Sequence, residues 1–320
     1  MEAERKIEIR ADNLRVAYGA SIALNLPALE VKGNIIALIG HNGAGKSTMI
    51  KSVLGLLPPR SGSLRVTQSL PGTPQLLSPE EHMAFCPESG AVFADIKVES
   101  YIKLWCRLKH RDANFYKKAG SKYIEMMKLG PLLSKLGREL SKGQRRRVQT
   151  AIGFLCEPQL FLCDEPFDGL DVQKTSELIE IIQTQTARMS FVISSHRMDV
   201  VERLADVIVV LKEGAAISVG APKSVCRELC GAGFKIGGMQ NAAALMEALR
   251  QKFPTALISR LDDKICVAGQ DLNKEALARL INQVDRNGAL LEDHSASLIE
   301  AMNYHLRELE GVNIRPGSPD

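Results

Sequence analysis

The chain has no long apolar run. Its longest stretches, such as Val207–Leu211, are of strand length, well short of the roughly 18–20 apolar residues that a membrane crossing requires. Met1 to Arg10 alternate charges and carry no apolar core of an export signal. The expectation is a soluble protein without direct membrane insertion, whose membrane role, if any, runs through a partner. A dominant charge is missing too: 41 Lys+Arg against 37 Asp+Glu leave +4, too little to argue for nucleic acid. The densest basic run, Arg145 to Arg147, reads as a solvated helix face. The seven cysteines are odd in number and scattered, and Cys163 sits inside an apolar stretch, which argues for reduced cytosolic thiols rather than a disulfide framework. Cys226 and Cys230 share a helix face but have no nearby His pair or second Cys pair to complete a zinc set. Aromatics are few, at 5%, but 45% hydrophobic and 24% charged residues are ordinary for a globular chain. The length allows one sizeable α/β domain and a smaller one.

Along the chain, residues 7–18 read as a strand ending in a turn at Gly19, and Asn34–Ile39 as a short apolar strand. Lys46–Leu56 reads as a helix, broken by Pro58-Pro59 and Ser61-Gly62. Prolines and serines between Gln68 and Glu81 suggest an irregular excursion. From Val98 to about Leu155 the pattern is helical, with Val148, Ala151, Ile152 and Leu155 at helical spacing behind a Ser141 N-cap. Strands return at Leu160–Cys163, Phe191–Ser194 and Val207–Leu211, separated by helices, which implies parallel crossovers. Glycines around Leu229–Gly238 suggest a boundary. Beyond it the order is a strand near Phe234, a helix over Asn241–Lys252, strands at Ala256–Arg260 and Lys264–Val267, a helix over Leu272–Arg286, a strand at Ala289–Glu292 and a helix over Ala296–Leu309. That β-α-β-β-α-β order predicts a ferredoxin-like fold.

Chemistry enters with Gly40-His41-Asn42-Gly43-Ala44-Gly45-Lys46-Ser47-Thr48, a complete P-loop pattern between a predicted strand and a predicted helix. Glycines let backbone N–H groups close around phosphate oxygens, and a helix N-terminus favours the negative charge. Lys46 is expected to reach the β- and γ-phosphates of ATP, and the Ser47 hydroxyl to ligate Mg²⁺. Leu160-Phe-Leu-Cys-Asp164-Glu165 is an apolar strand ending in acids. Asp164 is expected to hold Mg²⁺ through water, and Glu165 to polarise the water that attacks the γ-phosphate.

Leu140-Ser141-Lys142-Gly143-Gln144 lies twenty residues before Leu160 and resembles the Leu-Ser-Gly-Gly-Gln signature of ABC ATPases. Pro166-Phe-Asp-Gly-Leu-Asp171 is similar to that family's D-loop, His196 to its switch histidine, and Tyr18 to the aromatic that stacks on adenine. These motifs cover about residues 7 to 220 in the family's order. The resemblance implies a P-loop NTPase (RecA-like) core with antiparallel β and helical subdomains, followed by the small α+β domain. The expected domains are an ATPase domain over 1–230, with its helical part at about 98–145, and an accessory, dimerisation or regulatory domain over 231–320. It also implies a head-to-tail dimer, homo- or heteromeric, in which Ser141, Gly143 and Gln144 of one copy face ATP on the other. His196 would contact the γ-phosphate in its own subunit, and Asp171 would couple the two sites.

Two residues depart from the family pattern. Lys142 replaces a signature glycine where the family tolerates variation, and Glu88, in Phe85-Cys-Pro-Glu88, takes the place of the Q-loop glutamine. A carboxylate can still accept from Mg²⁺-bound water, but it adds negative charge. The Pro-Glu pair resembles exporter ATPases of the ABC-2 kind. The expected function is therefore an ATP-driven export motor, peripheral on the cytoplasmic face of the membrane and bound to an integral permease subunit. The alternatives are an importer motor with a substrate-sensing terminal domain and a non-transport ABC ATPase.

Overall fold

In a computed structural model of the chain, describing residues 6–69, 73–89, 92–109, 115–116, 120–285, 289–294 and 296–303, the apolar run Leu160–Asp164 forms strand β7. Its side chains alternate between two cores, as a pleated strand requires. Phe161 and Cys163 join one core with Phe154 and Phe191, while Leu160 and Leu162 join another with Leu24, Leu26, Ile50 and Val66. Both faces are covered, so the strand has no polar alternation to display.

The chain forms two compact units, 1–219 and 220–320. In the first unit a six-stranded sheet runs β10 (Ala215–Gly220), β9 (Val207–Lys212), β3 (Ile35–Ile39), β8 (Ser190–Ser194), β7, β6 (Met83–Cys86). The pairs β9–β3, β3–β8, β8–β7 and β7–β6 are parallel. A second sheet, β2 (Ser21–Gly33), β1 (Ile7–Tyr18), β4 (Ser61–Gln68), β5 (Gln75–Leu76), is antiparallel. Helix α1 (Lys46–Val53) follows β3 and buries Met49, Ile50 and Val53 in the core that also holds this second sheet's apolar side chains.

The helical stretch is broken rather than continuous. Helix α2 is a single turn (Pro79–His82); α3 (Val98–Leu108) and α4 (Ser121–Met126) are followed by 3₁₀ turns at Gly130–Leu132 and Gly137–Glu139. Helix α5 (Lys142–Leu155) then packs on β7 so closely that a Cβ on Gly153 would stand 2.0 Å from a Phe161 ring carbon. Helices α6 (Val172–Gln185) and α7 (Met198–Leu204) complete the crossovers. The mixed parallel and antiparallel sheets around a P-loop are the expected α/β P-loop NTPase fold.

Five strands, β2, β4, β5, β6 and β10, went unread in the sequence. β2 hides its alternation behind Pro27, after which the buried positions shift phase from Leu24 and Leu26 to Leu29 and Val31. β4 begins at the Ser61-Gly62 pair expected to end structure. Gly62 has φ +79° and would place a Cβ 2.2 Å from the Asn13 carbonyl, where pairing with β1 skips from Asp12–Ser63 to Arg15–Ser61. The glycine thus marks a bulge. β6 is only four residues long.

In the second unit, α8 (Pro222–Cys230) precedes β11 (Ala232–Gly237), α9 (Ala242–Lys252), β12 (Leu257–Leu261), β13 (Lys264–Gly269), α10 (Lys274–Val284) and β14 (Leu290–Asp293). The sheet order is β12-β13-β11-β14, every pair antiparallel, which is the ferredoxin-like arrangement of a β-α-β-β-α-β chain. Phe234, Ile236, Ile265 and Val267 from the sheet meet Leu245, Leu249, Leu277 and Ile281 from the helices. Asn241 and Asn273 cap α9 and α10, accepting from Ala244 N–H at 3.0 Å and Ala276 N–H at 2.7 Å. The glycines expected to loosen a linker lie within this unit: a Cβ on Gly233 would stand 2.5 Å from the His294 carbonyl. Residues 298–303 are helical, two residues later than the expected start at Ala296, and 304–309 of the expected final helix lie outside the described residues. No helix of the described residues is long and apolar enough to cross a membrane.

Candidate active site

The loop from Gly40 to Gly45 leaves β3 and enters α1 through backbone that only glycine adopts without strain. Gly40, Gly43 and Gly45 have φ +150°, +85° and +108°, and a Cβ on Gly40 would stand 2.3 Å from the Leu211 carbonyl. Outside support comes from Gly214, which donates to the Ala44 carbonyl at 3.0 Å and accepts from Asn25 N–H at 2.8 Å. Lys46 is buried and folds over the loop, its Nζ donating to the carbonyls of Gly40 (2.8 Å) and His41 (3.2 Å). The ammonium is thereby fixed beside the first turn of α1, an end of the helix that favours negative charge.

The carboxylates leave the end of β7. Asp164 is 4% exposed; its Oδ1 accepts from Ser47 Oγ at 3.1 Å and from Ser194 Oγ at 2.6 Å. Glu165 N–H donates to the same Ser194 hydroxyl at 2.8 Å, so one serine at the end of β8 ties the two acids together. Glu165 has φ +49°, a left-handed conformation costly for any residue that carries a Cβ. The conformation turns its carboxylate back to the loop, with Oε1 at 3.7 Å from Lys46 Nζ. Oε2 accepts from His196 N–H at 3.2 Å and lies 2.8 Å from His196 Nδ1. An ionised carboxylate only accepts, so in that form the contact takes an imidazole hydrogen from Nδ1.

These groups line a cleft of about 670 Å³, with Asn42, Gly43, Gly45, Lys46, Ser47, Thr48, Glu88, Glu165 and His196 in its wall; its size suits a small-molecule site. Gly40, Ala44 and Asp164 support it from behind. Tyr18 is half exposed at the end of β1, outside the residues lining the cleft. Ser141 caps α5: its Oγ accepts from Gln144 N–H at 3.3 Å and Gln144 Oε1 accepts from Ser141 N–H at 3.0 Å. Within one chain Ser141, Gly143 and Gln144 are not among the cleft-lining residues. Asp171 caps α6, accepting from Lys174 N–H at 2.9 Å.

Ser194 and Asp168 were missed in the sequence. Asp168 lines the cleft and accepts from Lys142 Nζ at 2.7 Å. That ammonium, more than any other neighbour, holds the Asp168 carboxyl below the usual carboxylate range. The residue stands in the Pro166–Asp171 loop, but its distance from the acids at β7 gives no sequence cue of its own. The Arg145–Arg147 run is not a solvated face: Arg146 is 3% exposed, and Arg147 Nε donates to the Met127 carbonyl at 3.0 Å.

Residues 28–168 match the ABC transporter family model. The linearmycin resistance ATP-binding protein LnrL of Bacillus subtilis is 27% identical over 225 residues, 70% of this chain and 72% of that one. The molybdenum import ATP-binding protein ModC of Brucella suis is 31% identical over 227 residues, 68% of this chain and 60% of that one. A solved ATP-binding subunit of an ABC transporter superposes with a TM-score of 0.59 at 29% identity, covering 69% of this chain and 92% of its own. The chain carries the nucleotide-binding domain of an ABC transporter. Its enzyme class is accordingly ATPase. In this fold the glycine loop lies between β3 and α1, Asp164 and Glu165 at the end of β7, Ser141 to Gln144 at the start of α5 and His196 after β8.

Proposed function

We propose that this chain is the ATP-hydrolysing motor of an ABC exporter, and that Glu165 is the base of the reaction. The observation that carries the reading is the placement of Glu165, whose carboxylate is fixed by His196 N–H and Nδ1 on one oxygen and faces Lys46 on the other. A carboxylate so held accepts the proton of a water directed at a γ-phosphate. Lys46 and the loop N–H groups hold the phosphates and offset the charge that develops on them. Tyr18 supplies an exposed ring on which adenine stacks.

The hydroxyl of Ser47 and the carboxylate of Asp164 are hydrogen-bonded neighbours and hard oxygen donors, a set that suits Mg²⁺. Glu88, in the cleft wall, adds a third. Bound there, Mg²⁺ would supply charge neutralisation of the β- and γ-phosphate oxygens.

Ser141, Gly143 and Gln144 stand at a capped helix N-terminus on the surface, the geometry for receiving an anion from another molecule. Two copies arranged head to tail would each present this turn to ATP on the other, with Asp171 beside the shared boundary. The domain over 1–230 is the motor; the terminal domain, 231–320, assists dimerisation or regulation. Export is favoured by the Pro87-Glu88 pair and by the resistance function of one relative; the import function of another keeps an importer motor as the second reading. The motor works on the cytoplasmic face of a membrane through a separate permease subunit. The test is a pull-down from detergent-solubilised membranes: an exporter permease recovered with the chain supports the reading. Recovery of an importer permease, or of none while ATP-dependent self-association is also absent, contradicts it.

A further inference from the structure

The basic run at the start of α5 divides its work. Arg147 binds the carbonyl side of the turn after α4, whereas Arg146 points into the molecule. Its NH1 donates to the Pro87 carbonyl at 2.8 Å and to the Asp164 carbonyl at 3.1 Å. Pro87 immediately precedes Glu88, and Asp164 immediately precedes Glu165. Strands β6 and β7 are parallel and paired with Cys86 beside Cys163, so the two carbonyls emerge side by side where both carboxylate-bearing segments begin.

A buried guanidinium is costly, and removing water from it is compensated only by well-placed acceptors. A neutral donor would satisfy two carbonyls at lower cost, so the charge itself calls for a reason. The site supplies one. Glu88 and Glu165 line the cleft as carboxylates, and Glu88 adds a negative charge to a place that already binds phosphates. Arg146 places a fixed cation behind both. It also sits on a rigid 14-residue helix, five residues after Ser141, or about 7.5 Å along the axis at 1.5 Å per residue.

Resting on the reading of Glu165 and Glu88 given above, we propose that Arg146 is a positioning residue for ATP hydrolysis: it clamps the chain segments that carry Glu88 and Glu165 to the helix that begins at Ser141. The arrangement makes the orientation of both carboxylates answer to the first turn of α5. The two carbonyls that Arg146 holds lie outside the loop from Gly40 to Thr48, so its contribution falls on turnover and not on nucleotide affinity.

Steady-state ATPase of the full chain tests this with Arg146→Gln, Arg146→Lys, Glu88→Gln and the double variant Glu88→Gln/Arg146→Gln, alongside ATP binding and thermal melting. Arg146→Gln is expected to lower kcat by roughly 10- to 100-fold, the range for misplaced catalytic groups, with the ATP dissociation constant unchanged. Arg146→Lys, which keeps the charge and can still donate, restores most of kcat. The double variant departs from multiplicativity by at least about threefold, as coupled neighbours do. Unchanged kcat in Arg146→Gln, or a loss that Lys does not restore and that multiplies independently with Glu88→Gln, overturns the proposal. So does a fall in kcat that only tracks lost ATP affinity and melting temperature. Glu165→Gln separates the two levels: if it keeps full turnover, the reading of the site fails before Arg146 is judged. If it is inactive while Arg146→Gln is normal, only the clamp fails.

Discussion

The two units of the chain bury apolar residues in the same manner and charged residues in opposite manners. In the first, Lys46, Arg146, Asp164 and Glu165 are all under a tenth exposed and are engaged around one cleft. In the second, the buried carboxylate among the described residues is Asp285, which accepts from Gln240 N–H at 2.6 Å, a contact between a strand-end loop and a helix end. Buried charge is expensive unless paired and hydrogen-bonded. A concentration of it around positive-φ turns marks the unit that does chemistry, whereas a buried acid that ties a backbone N–H of its own unit marks architecture. The contrast yields predictions of very different size.

The largest concerns Lys46. Lys46→Ala removes the ammonium that faces both the phosphate loop and Glu165, and turnover should fall by at least about a hundredfold, with ATP binding weakened in parallel by calorimetry. Normal turnover would erase the distinction between the units. Next is Asp285→Ala, which leaves the Gln240 N–H unpaired and should destabilise the second unit by about 1–3 kcal/mol in urea unfolding. ATP affinity should stay unchanged; a shifted affinity would mean that this acid is not architectural.

The smallest effect belongs to Asp168. Its carboxyl pKa is depressed, first by the hydrogen bond from Lys142. A depressed carboxylate contributes stability that is present above its unfolded value of about 3.9 and is lost as pH falls through the lower folded value. Asp168→Asn should therefore leave acid unfolding less steep below about pH 4 and change stability at pH 7 by under about 1 kcal/mol, because Lys142 is 71% exposed. A larger loss at neutral pH would show that the pair is more than a surface contact.

The same contrast explains what was legible beforehand. Gly40–Thr48, Asp164-Glu165 and His196 stood out because their chemistry demands particular residues at short spacing on one turn each. The second unit was readable because β11, α9, β13 and α10 each carry a clean period and their own caps. Ser194, Asp168 and Arg146 were not readable, since each acts through a partner distant in sequence. Arg146 in particular becomes a buried group only once α5 is laid across the ends of β6 and β7. β2 and β4 escaped for local reasons, a proline at a phase shift and a glycine at a bulge.

The most direct test of the account is ATP turnover and ATP binding measured together on purified chain and on Glu165→Gln. The substitution keeps the side chain's shape and its contact to His196 N–H but removes the proton acceptor. Turnover should fall by roughly 100-fold or more, the low end of a general base's contribution, while ATP binds as tightly as before. Turnover within a few-fold of the original would contradict the assignment of Glu165 as the base.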